Sequence, residues 1–337
     1  MPPAVLVELL RRHDLGAVLA AIPEGYRTTF ARDDNLRPFL EGSCWSKEAV
    51  EGLFRFRDFL NFLHTFAFTR FLFHSADDLR LLIRGVLDGL GRQRIVYAEI
   101  SISSPEYVDR GLPLAEIVAC LEEATAHPAV RVQWIVDLVR DFGPEHALRH
   151  LRELLALRSP AVVGITLGGS EDCYPQGAFG EVFALAREHG LRRSVHAGEA
   201  LGPESVWSAL KSLAPERIGH GVRAIEDPHL VEYLASHQIP LEVCPTSNIF
   251  TRAYPSYDAH PAKRLFDAGL RLTINSDDPA FFHTTLAEEY AHLAALGFTM
   301  EEIGELLRNG FRCAFLPQNV IAGYLAAFNR EWTAPPA

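Results

Sequence analysis

The sequence predicts an α/β fold, a (β/α)8 barrel with one strand short of the full count. Three observations carry this reading. Short, β-branched apolar runs alternate with longer helical patterns from about residue 92 onward, which implies parallel strands with helices packed outside. Seven such strand-helix units follow one another at even spacing, which favours a barrel over an open doubly wound sheet. No G-x-G-x-x-G follows a strand and no G-x-x-x-x-G-K-[ST] occurs, which weakens the dinucleotide and nucleoside-triphosphate readings.

The strand candidates, in order, are 94–102, 131–138, 161–167, 192–197, 217–219, 239–243 and 270–274. Between them, helical patterns cover 114–125, 144–157, 178–189, 203–212, 228–237 and 260–268. Several start with a proline in the first turn or stop at Gly, Asn or His, the usual helix punctuation. Long helices precede the first strand (about 3–13, 47–73 and 75–90) and others follow the last (286–296 and 299–315). No internal repeat or linker divides the chain. It reads as a single domain over 1–337, a barrel with extra N-terminal helices at about 47–90 and C-terminal helices at about 286–315. The phenylalanine-rich stretch 54–73 reads mainly as core.

Composition narrows the classes. The 337 residues are 48% hydrophobic and 22% charged, which excludes a disordered or collagen-like chain. The formal charge of −11 argues against nucleic acid or an anionic membrane as the main partner. Cys44, Cys120, Cys173, Cys244 and Cys313 are odd in number, scattered, and form no C-x-x-C, so a reducing compartment is expected. The most apolar stretch is interrupted by Arg55, Arg57, Asp58, His64 and Arg70, so no membrane span is expected. The N-terminus lacks the pattern of a secretory signal, and the expected compartment is the cytoplasm.

In a barrel, catalytic side chains sit at the C-terminal ends of strands. Those ends carry His196 and Glu199, then His220, then Asp277 and Asp278, with Gly168-Gly169 at the end of the run 161–167. Taken singly, each has a bland explanation: a hydrogen-bonded core histidine, or an Asp-Asp-Pro turn with helix-capping character. Taken together they do not, because buried charges without partners are costly. Histidine and aspartate suit a zinc ion that activates water, with a glutamate and a second histidine to handle protons.

These residues fall in recognisable motifs. S-V-H-A-G-E (194–199), R-I-G-H-G (217–221), E-V-C-P-T-S-N (242–248) and T-I-N-S-D-D-P (273–279) resemble the adenosine deaminase family of the amidohydrolase superfamily. G-I-T-L-G-G-S-E (164–171) resembles its strand-four loop, and Y-A-E-I (97–100) its second strand. The resemblance implies a TIM barrel of the metal-dependent hydrolase type and one Zn2+ per chain. It implies zinc ligands at His196 and Asp277, and hydrolytic deamination of a 6-aminopurine nucleoside, adenosine by default. Glu199 would protonate the purine N1, which calls for a raised pKa in a dry pocket. His220 would orient and deprotonate the attacking water. Asp278 would meet N7, and the backbone of Gly169 would meet N3. The partner is then a small 6-aminopurine, not nucleic acid or membrane. Adenine or 6-aminodeoxyfutalosine is the alternative substrate; Gly168–Glu171 departs from the family's usual Leu-Ala-Gly-Asp-Glu and Phe281-Phe282 follows the aspartates, two changes that flank the expected pocket and leave the sugar-side preference open. A metal-poor, non-catalytic purine-binding relative is the alternative of another class.

One departure stands out. The family opens with a strand ending in His-X-His, two further zinc ligands, and this sequence contains no His-X-His among its 14 histidines. The absent motif and the absent strand are one gap, and a start assigned too far downstream is the expected cause. His146 and His150 have helical i, i+4 spacing but are expected on the surface of an outer helix. The chain as written is therefore expected to show seven strands, open at 94–102 and 270–274, with converging site residues, weak zinc binding and reduced stability.

Overall fold

A computed structural model of the chain describes residues 2–41, 46–56 and 59–332. Cys44, Arg57 and Asp58 lie outside the described residues. These residues group into two compact units.

The second unit (97–106, 132–277 and 284–337) carries the sheet. Its seven strands stand in sequential order: β1 (Tyr97–Ile102), β2 (Arg131–Asp137), β3 (Val162–Thr166), β4 (Arg192–Ala197), β5 (Arg217–His220), β6 (Leu241–Val243) and β7 (Leu272–Ile274). Every pairing from β2 to β7 is parallel. The expected strands are thus all present, and β1 and β7 are the two ends of the order. Val136, Ile165, Val195, Ile218, Leu241 and Leu272 are fully buried, as expected of parallel strands covered on both faces. β1 starts later than the apolar pattern suggests, because the preceding helix runs to Arg92 and Arg94 turns through a positive φ of 59°. Flanking helices begin where the prolines place them, at Pro144, Pro203 and Pro228.

The six-residue helix Pro245–Phe250 and the 14-residue helix Gln318–Glu331 are absent from the periodicity reading. His150 departs from the surface reading. It is buried, with Nε2 2.8 Å from the Ser104 hydroxyl.

The first unit (1–96, 107–131 and 278–283) is helical. The single helix expected over 47–73 is two, Lys47–Leu53 and Phe59–Arg70. Phe54 ends the first of them with its ring fully buried. Phe281 lies against the rings of Phe54, Phe62 and Phe66 at centroid distances of 5.3, 5.8 and 5.3 Å, and Phe282 lies 5.2 Å from Phe62. Asp33 is buried in the same unit. Burial pushes its carboxyl pKa up, and hydrogen bonds from His64, Asn61 and two backbone amides outweigh that, leaving it below the ordinary 3.8. Among the described residues no helix is long and apolar enough to cross a membrane.

Candidate active site

The site starts from the register of β4 and β5. His196 stands opposite Gly219, and Ala197 opposite His220. A Cβ at Gly219 would lie 3.4 Å from the His196 ring, so the glycine leaves that ring its place. The rings of His196 and His220 end 5.1 Å apart. His220 and Asp277, at the ends of β5 and β7, both hold positive φ (59° and 54°). Non-glycine residues pay for that conformation, and it concentrates where side chains must be aimed.

Glu199 is held from two sides. Its backbone belongs to a loop clamped by the buried carboxylate of Glu171, which accepts from the amides of Gly198, Glu199 and Ala200 at 3.1, 2.8 and 3.1 Å, and from the Ser205 hydroxyl at 2.8 Å. Its side-chain Oε1 accepts from the Thr251 hydroxyl at 2.7 Å and from Asn248 Nδ2 at 3.4 Å. Oε2 faces His220 Nε2 at 3.4 Å, and Asp277 Oδ2 lies 3.9 Å from the same nitrogen. His220 is 3% exposed, Glu199 18% and Asp277 28%, so the histidine is the sealed member and the carboxylates the open ones. Burial pulls the His220 pKa down; the carboxylates of Glu199 and Asp277 outweigh it, and the net shift is upward. Burial, reinforced by Asp277 and Glu199, drives the Cys244 thiol well above its ordinary value, so it stays protonated.

The Gly168-Gly169 turn at the end of β3 is shaped by two aspartates. Asp137 accepts from the Gly168 amide at 2.7 Å, and Asp141 from the Ser170 amide at 2.9 Å. Gly169 sits at φ +88°, and a Cβ there would come within 2.0 Å of Asp141 Oδ2, so a side chain would strain the backbone and displace Asp141. The fully buried Arg140 ties this loop to β4 by donating to the carbonyls of Glu171 and His196 at 3.2 and 2.9 Å. Asp278 is the next residue after Asp277 and precedes the helix Pro279–Phe282, its carbonyl accepting from the amides of Phe281 and Phe282.

His196, Glu199, His220 and Asp277 are thus assembled from three strand ends. Asn248, Thr251, His260, Glu171 and Arg140 join them as supports; Asn248 and Glu171 close two of the motifs without a role assigned to them, and the other three lie outside the motifs. Asn248 and Thr251 carried one usable signal, an i, i+3 spacing that puts both on one face of a helical turn. His260 and Arg140 carried none.

For a metal, the donors fit zinc in kind. Nδ1 of His196 is buried with no hydrogen-bond partner among the described residues, and Asp277 adds a carboxylate. Among the described residues, a different trio of donors, His220, Cys244 and Asp277, lies within 4.8 Å of one another.

Comparison with known proteins gives concordant matches. The adenosine deaminase family model matches residues 45–326. An adenine deaminase of Sinorhizobium medicae is 37% identical over 83% of this chain and 88% of its own length. An aminodeoxyfutalosine deaminase of Streptomyces avermitilis is 38% identical over 86% of this chain and 83% of its own. The crystal structure of an adenine deaminase from Arthrobacter aurescens superposes with a TM-score of 0.79 at 28% identity, covering 93% of this chain and 96% of that one.

Proposed function

This chain belongs to the adenosine deaminase family, and from that premise we propose that it hydrolyses the 6-amino group of a purine, with adenine or 6-aminodeoxyfutalosine as substrate in preference to adenosine. The observation that carries the reaction is the disposition of Glu199. Two neutral donors occupy Oε1, which leaves Oε2, on the side of His220, as the oxygen able to pass a proton to the base. The substrate preference is supported by the adenine and aminodeoxyfutalosine deaminases among the relatives. Adenosine, the default from the motifs, is the weaker reading.

In this proposal Glu199 gives its Oε2 proton to the purine N1. The ring then carries positive charge where attack at C6 pushes electrons. His220 orients the attacking water against C6. Of the two protons the water sheds, one goes to the departing amine and one returns to Glu199; the oxygen stays on C6, and the amine leaves as ammonia. Asp278 receives the N7 side of the base, and the exposed backbone of Gly169 meets N3. His196 and Asp277 would hold a zinc ion, which when bound lowers the pKa of water toward neutrality.

The test is turnover of the purified chain, supplied with zinc and followed by the ultraviolet change of the purine, on adenine, 6-aminodeoxyfutalosine and adenosine in parallel. Turnover on one of the first two is expected, with Glu199→Gln lowering kcat at least about 100-fold, the scale of a lost general acid. No turnover on any of the three, or a Glu199→Gln enzyme near wild type, would sink the proposal.

A further inference from the structure

Behind Glu199 and His220 runs a chain of buried polar groups whose direction is set by one backbone amide. The N–H of Ala262 can only donate, and it donates to Nδ1 of His260 at 3.3 Å. Burial and the neighbouring His220 hold the His260 pKa down to about 4, so its ring is neutral and has a single ring proton. With Nδ1 accepting, that proton is on Nε2, which lies 3.2 Å from Asn248 Oδ1 and donates to it. The amide of Asn248 is then oriented, with Nδ2 turned the other way. Nδ2 has two hydrogens and meets two acceptors, His220 Nδ1 at 3.1 Å and Glu199 Oε1 at 3.4 Å. Turning the amide over would set its NH2 against the His260 N–H and its oxygen against the Glu199 carboxylate. Asn248 is fully buried and His260 nearly so, and unmet donors at such a place are expensive.

We infer that Ala262, His260 and Asn248 form a one-way hydrogen-bond relay that fixes neutral His220 in its Nε2-protonated tautomer and, through the same amide, aims the free oxygen of Glu199. A ring held this way has its Nδ1 lone pair occupied and presents a proton, not a lone pair, toward Asp277 Oδ2 and toward Glu199 Oε2, whose own proton then points away from the ring, to the base. His220 therefore acts on the attacking water by donating a hydrogen bond, and does not abstract its proton. Asn248 and His260 are positioning residues: neither needs to touch the purine. The catalytic consequence rests on the purine reading above; the tautomer does not.

The experiment is a long-range 1H–15N correlation spectrum of the ring nitrogens in the full chain labelled with 15N-histidine, with His220 assigned by its loss in His220→Gln. In spectra recorded up to about pH 9, where the neutral form of His220 is reached despite its raised pKa, both His220 and His260 should show protonated Nε2 and bare Nδ1. The isosteric Asn248→Asp replaces the donor facing Nδ1 by an acceptor and should put a proton on His220 Nδ1. It should lower kcat by up to about 10^4-fold, as loss of the correct tautomer does in other histidine-dependent sites, with KM changed less than about threefold. His260→Gln, which frees the amide of Asn248 to turn, should give a mixture of tautomers and serves if Asn248→Asp fails to fold. Protonated Nδ1 in wild-type His220, or either variant leaving the tautomer unchanged, overturns the relay. Inactivity of all forms with the tautomers as stated overturns the purine reading and leaves the relay standing.

Discussion

His260 makes a measurable contribution to stability as a single residue. Its pKa of about 4 lies below the ordinary 6.5, because burial and His220 both oppose a charge on it. Above pH 6.5 the ring is neutral in the folded and unfolded chain alike. As pH falls from 6.5 toward 4, the unfolded chain takes up a proton that the folded chain refuses. Stability therefore drops across that window, by about 3 kcal/mol once pH is below 4. Denaturant unfolding at pH 7 and pH 4.5 should show the drop, and His260→Gln should flatten this part of the slope. An unchanged slope in the variant would mean the ring is charged or solvated in the folded state. The neighbouring residues show how much was legible at this scale. His196, Glu199, His220 and Asp277 were readable because each ends an apolar run, and a barrel brings strand ends to one face. Thr251 and Glu171 act through hydrogen bonds to partners 52 and 28 positions away, and no local pattern reports such partners.

At the scale of elements, β5 opens with a buried cation. Arg217 lies 2.6 Å from Glu99 on β1 and 2.9 Å from Glu242 on β6. It donates to the Cys313 carbonyl at 2.9 Å, and its guanidinium sits 3.4 Å from the centroid of the Phe315 ring. Burial opposes the charge and the two carboxylates outweigh it. Arg217→Met removes the cation and leaves two carboxylates facing each other inside the sheet. It should cost about 3–5 kcal/mol, read as a fall in denaturant midpoint. Adding Glu99→Gln and Glu242→Gln should recover much of that loss. A single variant as stable as wild type would show that the trio is hydrated and contributes little. The strands and most helices were legible because periodicity and proline punctuation are local. The break between Leu53 and Phe59 was not, since Phe54 stops its helix by burying its ring against Phe281, a residue far along the chain.

For the molecule as a whole, metal content is the sharpest prediction. In the proposed site His196 and Asp277 would supply two protein ligands where catalytic zinc normally has three, and the sequence contains no His-X-His. The chain as written should carry well under one zinc per chain after purification without added metal, and plasma emission spectrometry measures this directly. One zinc per chain surviving dialysis against a chelator would refute the expectation and turn attention to Cys244 and His220 as further donors. By itself the sequence determined the parallel α/β order, the family and the strand ends that carry chemistry, because alternation of apolar and polar residues reports burial and motifs are contiguous. Only the tertiary structure decided which groups hold those side chains in place: the Glu171 clamp, the amide of Asn248 between His220 and Glu199, and the orientation passed on by His260. Hydrogen-bond direction depends on the relative placement of donors and acceptors brought together by folding, and that information is absent from any single stretch of chain.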